Sequence, residues 1–349
     1  MQLIINKSLI IYLVLFAYLF NIKLYSSEIT SEDFGIISLM YHRFEENKYP
    51  STNIRINEFK KHIELINQEN IKIINPSNFY NELKNNTNQR KILLTIDDGF
   101  LSFYDKAWPM LKKNKTPFIL FVNTREVGSS GYMNWDQILE LDKYEFVEIG
   151  NHSHSHEYLI DFSPKEIKMD LEKSISIFKK RLGKNSDFFS YPFGEYSLVF
   201  KKIVKDLGFK YAFGQHSGVI DLTKDIYEMP RFPINEKYGE INRFKTLLKT
   251  LPFQYKKIEP EEKYINEKTN PPNVVIEFYE NIDNLKNINC FSNEENKWRN
   301  SKIKFMSDTV LHIKIEGKFI TERGRINCSL RNADGFYRWL GIQFVVKEK

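Results

Sequence analysis

The chain has 349 residues, of which 42% are hydrophobic, and a formal net charge of +6. That is ample apolar material for a buried core and length enough for two domains. Two of the surplus charges, Lys7 and Lys23, fall in the first 27 residues, and no basic stripe or recognition motif follows, which excludes nucleic acid as a partner.

At the start, Lys7, the apolar run Leu9 to Phe20, Lys23 and the small residues Ser26 and Ser27 predict a secretory signal peptide over residues 1–27. The run is short for a membrane span; retention as an uncleaved anchor, and with it membrane attachment, is the alternative. Export places the protein outside the cell, in the periplasm or in the cell envelope, where a disulfide is permissible. The two cysteines, Cys290 and Cys328, are either paired or two buried thiols.

Next come a strand over Gly35 to Met40, ending in Tyr41-His42-Arg43, and an amphipathic helix over Asn57 to Asn70 with Phe59, Ile63 and Ile66 on one face. Lys91 to Phe100 then reads KILLTIDDGF. Leu93, Leu94 and Ile96 suit a buried strand, while Asp97 and Asp98 put two charges where burial is expensive unless they are paired or bind a cation. Gly99 permits a sharp turn that lets both carboxylates face one cleft. A helix over Leu101 to Asn114, a strand over Thr116 to Val122 and a short helix at Trp135 to Leu141 follow.

The segment Phe146 to Leu159, FVEIGNHSHSHEYL, is a strand running out into His152, His154 and His156. An extended chain separates residues i and i+4 by about 13 Å, too far for two nitrogens each about 2 Å from one metal. A turn-like coil brings them to about 6 Å and throws i+2 to the far side. A metal reading therefore selects His152 and His156 and excludes His154.

Ser163, Pro164 and Glu166 predict a capping box, followed by a helix with Ile167, Leu171, Ile175, Phe178 and Leu182 at helical spacing and Gly183 as its stop. A strand over Phe188 to Tyr191 delivers Pro192-Phe193-Gly194; a helix to Leu207, a strand over Lys210 to Phe213, a closing strand over Tyr227 to Ile234 and a closing helix over Asn242 to Leu251 complete an α/β domain spanning residues 28–253. Residues 254–273, rich in Lys, Glu, Pro and Asn, read as a linker. Beyond it, residues 274–349 alternate as short strands with a hairpin signal at Asp334-Gly335, which predicts a small β-sandwich. Its Trp298, Tyr337 and Trp339 are either a sugar-stacking platform or core.

TIDDG at 95–99, EIGNHSHSH at 148–156 and SYPFGEY at 190–196, in that order, resemble the polysaccharide deacetylases, also known as carbohydrate esterase family 4 or the NodB homology domain. The resemblance covers roughly residues 36–235. It implies an irregular (β/α) barrel and a hydrolase that removes acetyl groups from N-acetylhexosamines of a polysaccharide. Following the family motifs, Asp98, His152 and His156 hold a divalent metal, zinc first, and Asp97 is the general base. The Tyr191, Pro192, Phe193 and Gly194 segment borders the substrate and supplies a backbone N–H for the oxyanion. LMYHRF is similar to the start of the subgroup acting on poly-N-acetylglucosamine, which makes His42 the general acid, with His216 in reserve.

Two departures stand out. Ser190 occupies the position where the family commonly has an arginine that orients the catalytic Asp; Arg231, in MPRFP, is either its substitute, bordering the substrate with the Tyr191 to Gly194 segment, or part of a structural salt bridge. The late Leu-His motif of many members is missing, since Leu311-His312 lies in the wrong domain. Two rival functions remain: an O-acetyl esterase using the same site, and a glycan-binding or assembly protein without turnover.

Overall fold

Apolar strands alternate with amphipathic helices along the first two thirds of the chain, the pattern that lays a parallel sheet under helices. The computed structural model describes residues 34–85, 89–280 and 282–347, so the signal peptide or anchor expected over residues 1–27 lies outside the described residues. Among the described residues, no helix is long and apolar enough to cross a membrane.

The strands Ile36–Tyr41, Lys91–Ile96, Phe118–Val122, Val147–Asn151, Phe188–Ser190 and Tyr211–Phe213 lie side by side and parallel, in that order, within a nine-stranded sheet. Strands covered on both faces read as continuous apolar runs, and Lys91–Ile96 is buried at every position. The segment expected to close the barrel spans the gap between the edges with short pairings only: Met229 with Phe213, and Phe232–Pro233 with Leu39–Met40. The sheet is a curled half-barrel whose parallel strands all end on one side, with Val219–Ile220 running antiparallel beside Ile36–Ile37.

Most helices follow the sequence reading; the closing helix expected over Asn242 to Leu251 spans Ile241–Leu247 instead, and Thr250–Pro252 is a strand. Ile56–Gln68 buries Phe59, Ile63 and Ile66, and with them His62. His62 Nε2 donates to the Gly239 carbonyl at 2.7 Å, leaving Nδ1 to accept from the Tyr41 hydroxyl at 3.1 Å. Burial pushes this imidazole down to about 4, so it stays neutral and pins the end of the first strand. Pro164–Leu182 starts on the predicted capping box between Ser163 and Glu166 and stops at Gly183, φ 74°; such a cap contributes about 1 kcal/mol. The helix expected over Leu101 to Asn114 instead opens with a π turn at Phe103–Ala107 before the α-helix Trp108–Asn114. Pro109, with no N–H to give, accounts for the break.

The last third forms two mainly antiparallel sheets, one of six strands and one of four. Their buried residues, among them Phe253, Val274, Ile276, Leu311, Ile326 and Phe344, form one hydrophobic cluster. The expected linker, residues 254–273, is part of it: Tyr255–Glu259 pairs with Val274–Phe278, and Tyr264–Ile265 pairs with Val345–Val346. A bulge between Tyr255 and Lys257 shifts the register, so Tyr255 and Ile258 both pack on the cluster although three residues apart. That spacing hides the strand's period of two among charged residues. The two thirds are also stitched together, since Thr250–Pro252 pairs with Tyr337–Trp339, and the described residues belong to one compact unit. Cys290 and Cys328 face each other across antiparallel strands, Cα atoms 4.0 Å apart, and form a disulfide.

Candidate active site

Strand register gathers the site. Tyr41 pairs with Ile96, and Asp97 donates its N–H to the Tyr41 carbonyl at 2.9 Å; His42 therefore leaves its strand beside the Asp pair. Asn151 pairs with both Val122 and Phe189, which brings the histidine loop and Ser190 to the same edge. Asp98 turns out at φ 75° and Gly99 follows at φ 74°. A left-handed aspartate is sterically disfavoured and persists only where its surroundings hold it.

Asp98 Oδ1 lies 3.4 Å from His152 Nε2 and 3.2 Å from His156 Nε2. Oδ1 is buried without a hydrogen-bond partner. His152 donates from Nδ1 to the Ser190 carbonyl at 2.6 Å, which fixes its tautomer and leaves the Nε2 lone pair facing Asp98. Three lone-pair atoms thus converge within 4.8 Å of one another. Ligands about 2.1 Å from a common tetrahedral cation stand roughly 3.4 Å apart, so the residues fit a divalent metal. His154 is outside this group; its Nδ1 pairs with Thr124 Oγ1 at 2.9 Å. Burial disfavours charge on His156, but the Asp98 carboxylate outweighs it and raises the imidazole above its ordinary value. Burial likewise works against the Asp98 carboxylate, and the two histidines overcome it, holding the group well below the carboxylate range.

Asp97 is wholly buried and gripped by the Arg231 fork: Nη1 donates to Oδ1 at 2.7 Å and Nη2 to Oδ2 at 2.8 Å. Burial alone would raise this carboxyl; the guanidinium holds it below its ordinary value. Arg231 also donates to the Gly214 carbonyl, to Thr95 Oγ1 and to Ser190 Oγ. The Arg231 side chain therefore reaches the point where a residue at position 190 would begin, with the Ser190 hydroxyl filling the remainder. Both sequence alternatives for Arg231 describe the same contact, an ion pair that orients Asp97. Arg231 is fully buried, so the expectation that it borders the substrate is corrected.

Of Tyr191, Pro192, Phe193 and Gly194, Phe193 lines the cleft. Tyr191 is buried and donates its hydroxyl to the Tyr227 carbonyl at 2.9 Å, and Pro192 and Gly194 are buried as well; large apolar or backbone surface at this turn packs inward. Phe193 has φ 58°, and its ring stacks on Tyr158 at 4.3 Å and meets His156 edge-on at 4.7 Å. A Cβ at Gly194 would meet Gln215 atoms at 2.4 Å, so glycine is required there by space as well as by its φ of 71°.

His42 and His216 both line the cleft. Burial lowers the His42 pKa against the opposing pull of Asp98 and Asp97. Burial, reinforced by Lys263, Lys201 and Lys224, pushes His216 down to about 3. The histidine coupled to the Asp pair is His42.

The cleft encloses about 720 Å³, and its far side is built from the C-terminal third: Phe291, Trp298, Arg323, Arg325 and Trp339. Trp298 is 51% exposed, which removes it from the core, whereas Tyr337 lies within the sheet, paired with Thr250 on one side and Arg331 on the other. Arg323 Nε donates to Glu195 Oε1 at 2.7 Å, and Gln343 Nε2 donates to the Gly194 carbonyl at 3.3 Å, so the C-terminal sheet clamps the turn that carries Phe193. Burial pushes Glu195 up to about 7 against the pull of Arg323. Sequence reasoning singled out Trp298 and Trp339 but missed Phe291, Arg323 and Arg325; the alternation of Arg323, Arg325 and Asn327 with buried Gly324, Ile326 and Cys328 was the available signal.

Residues 84–212 match the family model described as polysaccharide deacetylase. A poly-beta-1,6-N-acetyl-D-glucosamine N-deacetylase of Staphylococcus epidermidis is 27% identical over 228 residues, covering 61% of this chain and 76% of that protein. One of Staphylococcus aureus is 24% identical over 213 residues, covering 57% and 73%. Among solved structures, the deacetylase PplD of Streptococcus pyogenes in complex with acetate superposes with a TM-score of 0.56 at 23% identity, and IcaB of Ammonifex degensii with 0.57 at 24%. Each is similar in fold. The match covers 62% of this chain but 99% and 98% of theirs, so the rest of this chain has no counterpart in them.

Proposed function

We propose that this chain, which carries a polysaccharide deacetylase domain, is a metal-dependent hydrolase that removes N-acetyl groups from N-acetylhexosamine units of an extracellular or cell-wall polysaccharide, of the poly-N-acetylglucosamine kind on which the staphylococcal relatives are named. The observation that carries the reading is the convergence of Asp98, His152 and His156 beside the Asp97–Arg231 pair at the base of one cleft. An exported enzyme fits such a substrate, as does the disulfide. The two C-terminal sheets over their common core read as a sandwich-like module added to the deacetylase fold.

Asp98, His152 and His156 would hold the cation, zinc by preference, although this ligand set accepts other divalent ions. When bound, it supplies Lewis acidity to the amide carbonyl and lowers the pKa of water to about 7. The work of the chain's own groups follows from their surroundings. Asp97, kept ionised by Arg231, takes the proton of the attacking water as general base. The Phe193 turn offers a backbone N–H to the oxygen on which negative charge develops. His42, beside the Asp pair, takes up the proton that Asp97 has gained and passes it to the departing amine, which leaves both groups as they began. The products are acetate and a free amino sugar.

The test is acetate release from N-acetylglucosamine oligomers by the mature protein, with and without chelator, alongside Asp97→Asn. Expected are acetate that vanishes with chelator and returns with zinc, and a loss of about 10³-fold in kcat for the variant, within the range of general-base catalysis. Release from O-acetylated but not N-acetylated glycans would replace this reading with the esterase one; metal-loaded protein that releases no acetate would replace it with a binding role.

A further inference from the structure

The C-terminal sheet carries unassigned surface that lines the cleft. On the strand Arg323–Arg331, Gly324, Ile326 and Cys328 are buried while Arg323, Arg325 and Asn327 turn the other way. Phe291 pairs with Asn327, and Asn327 with Gly341, so one sheet face presents Phe291, Asn327, Arg325 and Arg323 together, and all four line the same cleft as Asp98 and His156. The face is held there by backbone: a Cβ at Gly341 would meet the Ser217 carbonyl oxygen at 2.4 Å, and Gly218 bridges Leu340.

Three features mark this face as a binding surface rather than spare exterior. Phe291 and Trp298 are 43% and 51% exposed, apolar rings held out at the mouth of a polar site. Trp339 Nε1 is buried with no hydrogen-bond partner, a donor that awaits an acceptor. Arg325 has no carboxylate within ion-pair distance among the described residues; its Nε donates to Gln343 Oε1 at 3.3 Å. The nearby acid, Glu195, is already taken by Arg323. The wall is therefore rich in donors and flat rings and poor in free acceptors. An acetylated sugar chain has the complementary chemistry, with apolar ring faces to lie on the aromatics and hydroxyl and acetamido oxygens to accept hydrogen bonds. A pocket of 720 Å³, towards the upper end of the usual range of about 300–1,000 Å³ for small-ligand sites, holds more than one sugar ring.

We propose that the C-terminal sheet forms the second wall of the substrate cleft, where Phe291, Trp298, Trp339 and Arg325 bind the sugar units flanking the one presented to Asp97 and Asp98, so that the enzyme acts within long chains in preference to short ones. This rests on the deacetylase reading, and its occupant is the same polysaccharide, because wall and metal ligands share one continuous cleft.

The experiment compares β-1,6-linked N-acetylglucosamine dimer and pentamer in the full mature protein loaded with zinc, as wild type and as the double variant Phe291→Ala, Trp298→Ala, whose side chains are exposed enough for the fold to survive. Wild type should favour the pentamer in kcat/KM, and the double variant should raise the pentamer KM about tenfold, the equivalent of 1.4 kcal/mol, collapsing the pentamer-to-dimer ratio towards one. Arg325→Met should shift the ratio in the same direction. A structural defect would lower both substrates together and leave the ratio standing. Calorimetric titration of the pentamer into Asp97→Asn protein reads the wall independently of turnover. Binding there that the double variant loses supports the wall even if no acetate is ever released. An unchanged ratio in the variants, no length preference in wild type, or no pentamer binding overturns the proposal.

Discussion

On the α/β side of the cleft, Asp97 is fully buried with both oxygens held by Arg231, whereas on the side of the C-terminal sheet Phe291 and Trp298 stand roughly half exposed. The first wall stabilises charge by enclosing it and fixing its partners; the second leaves rings and donors uncommitted. Enclosure suits groups that must keep one protonation state and one geometry through a reaction. Open rings suit a repeating polymer, which needs many weak contacts and little register.

The largest effect should come from opening the enclosed pair. Arg231→Met leaves a buried carboxylate without compensation, and breaking such pairs costs about 3–5 kcal/mol. Urea unfolding of the variant should show that loss, and acetate release should fall with it, because Asp97 either protonates or swings away. Arg231→Lys keeps the charge but not the planar fork, so it should fall between the two in stability while still losing most activity. A variant as stable as wild type would mean that the pair is not enclosed as described.

That pair also marks how far the sequence could be read. Asp97, Asp98, His152 and His156 come together because each lies at the end of an apolar strand, and a strand end is local information. Arg231 reaches Asp97 across 134 residues, and whether an arginine at 231 can serve for one missing at 190 depends on which strands the sheet places side by side. The linker expected over residues 254–273 failed for a different reason: a bulge put Tyr255 and Ile258 on the same face, and charge composition outweighed a pattern that no longer alternated. The second wall was harder still, since Phe291, Trp298, Arg325 and Trp339 come from four separate stretches and share a surface only once the register is known.

A smaller effect should follow from loosening the open wall. The Cys290–Cys328 disulfide closes 38 residues, and removing a crosslink of that span costs roughly 4 kcal/mol. Cys290→Ala with Cys328→Ala should lower the unfolding free energy, read from urea denaturation, by that amount. It should also lower pentamer turnover more than dimer turnover, because Phe291 is the neighbour of Cys290 on the same strand. Equal losses on both substrates would tie the disulfide to global stability alone.

The smallest effect tests whether scaffold and site divide as cleanly as the two walls do. Pro164–Leu182 reads as support: a capped helix with an apolar stripe. Yet Asp170 on this helix accepts the N–H groups of His154 at 2.8 Å and Ser155 at 3.0 Å. One turn on, Ser174 donates to Asn151 Oδ1, which also accepts from the Ser153 N–H. The loop needs such restraint, since Ser153 at φ 68° and His156 at φ 53° both hold a left-handed conformation that side chains disfavour by roughly 1–2 kcal/mol each. Asp170→Ala frees two backbone donors and lets residues 153–156 relax, carrying His156 Nε2 away from Asp98. Zinc affinity, measured by competition with a chromophoric chelator, should fall about 10-fold, at the lower end of what losing an outer partner of a metal site costs. Asp170→Asn retains one acceptor oxygen and should lose less. Unchanged affinity in both would mean that strand register alone positions His156. A graded loss would place part of the metal site's design in a helix that supplies none of Asp98, His152 and His156.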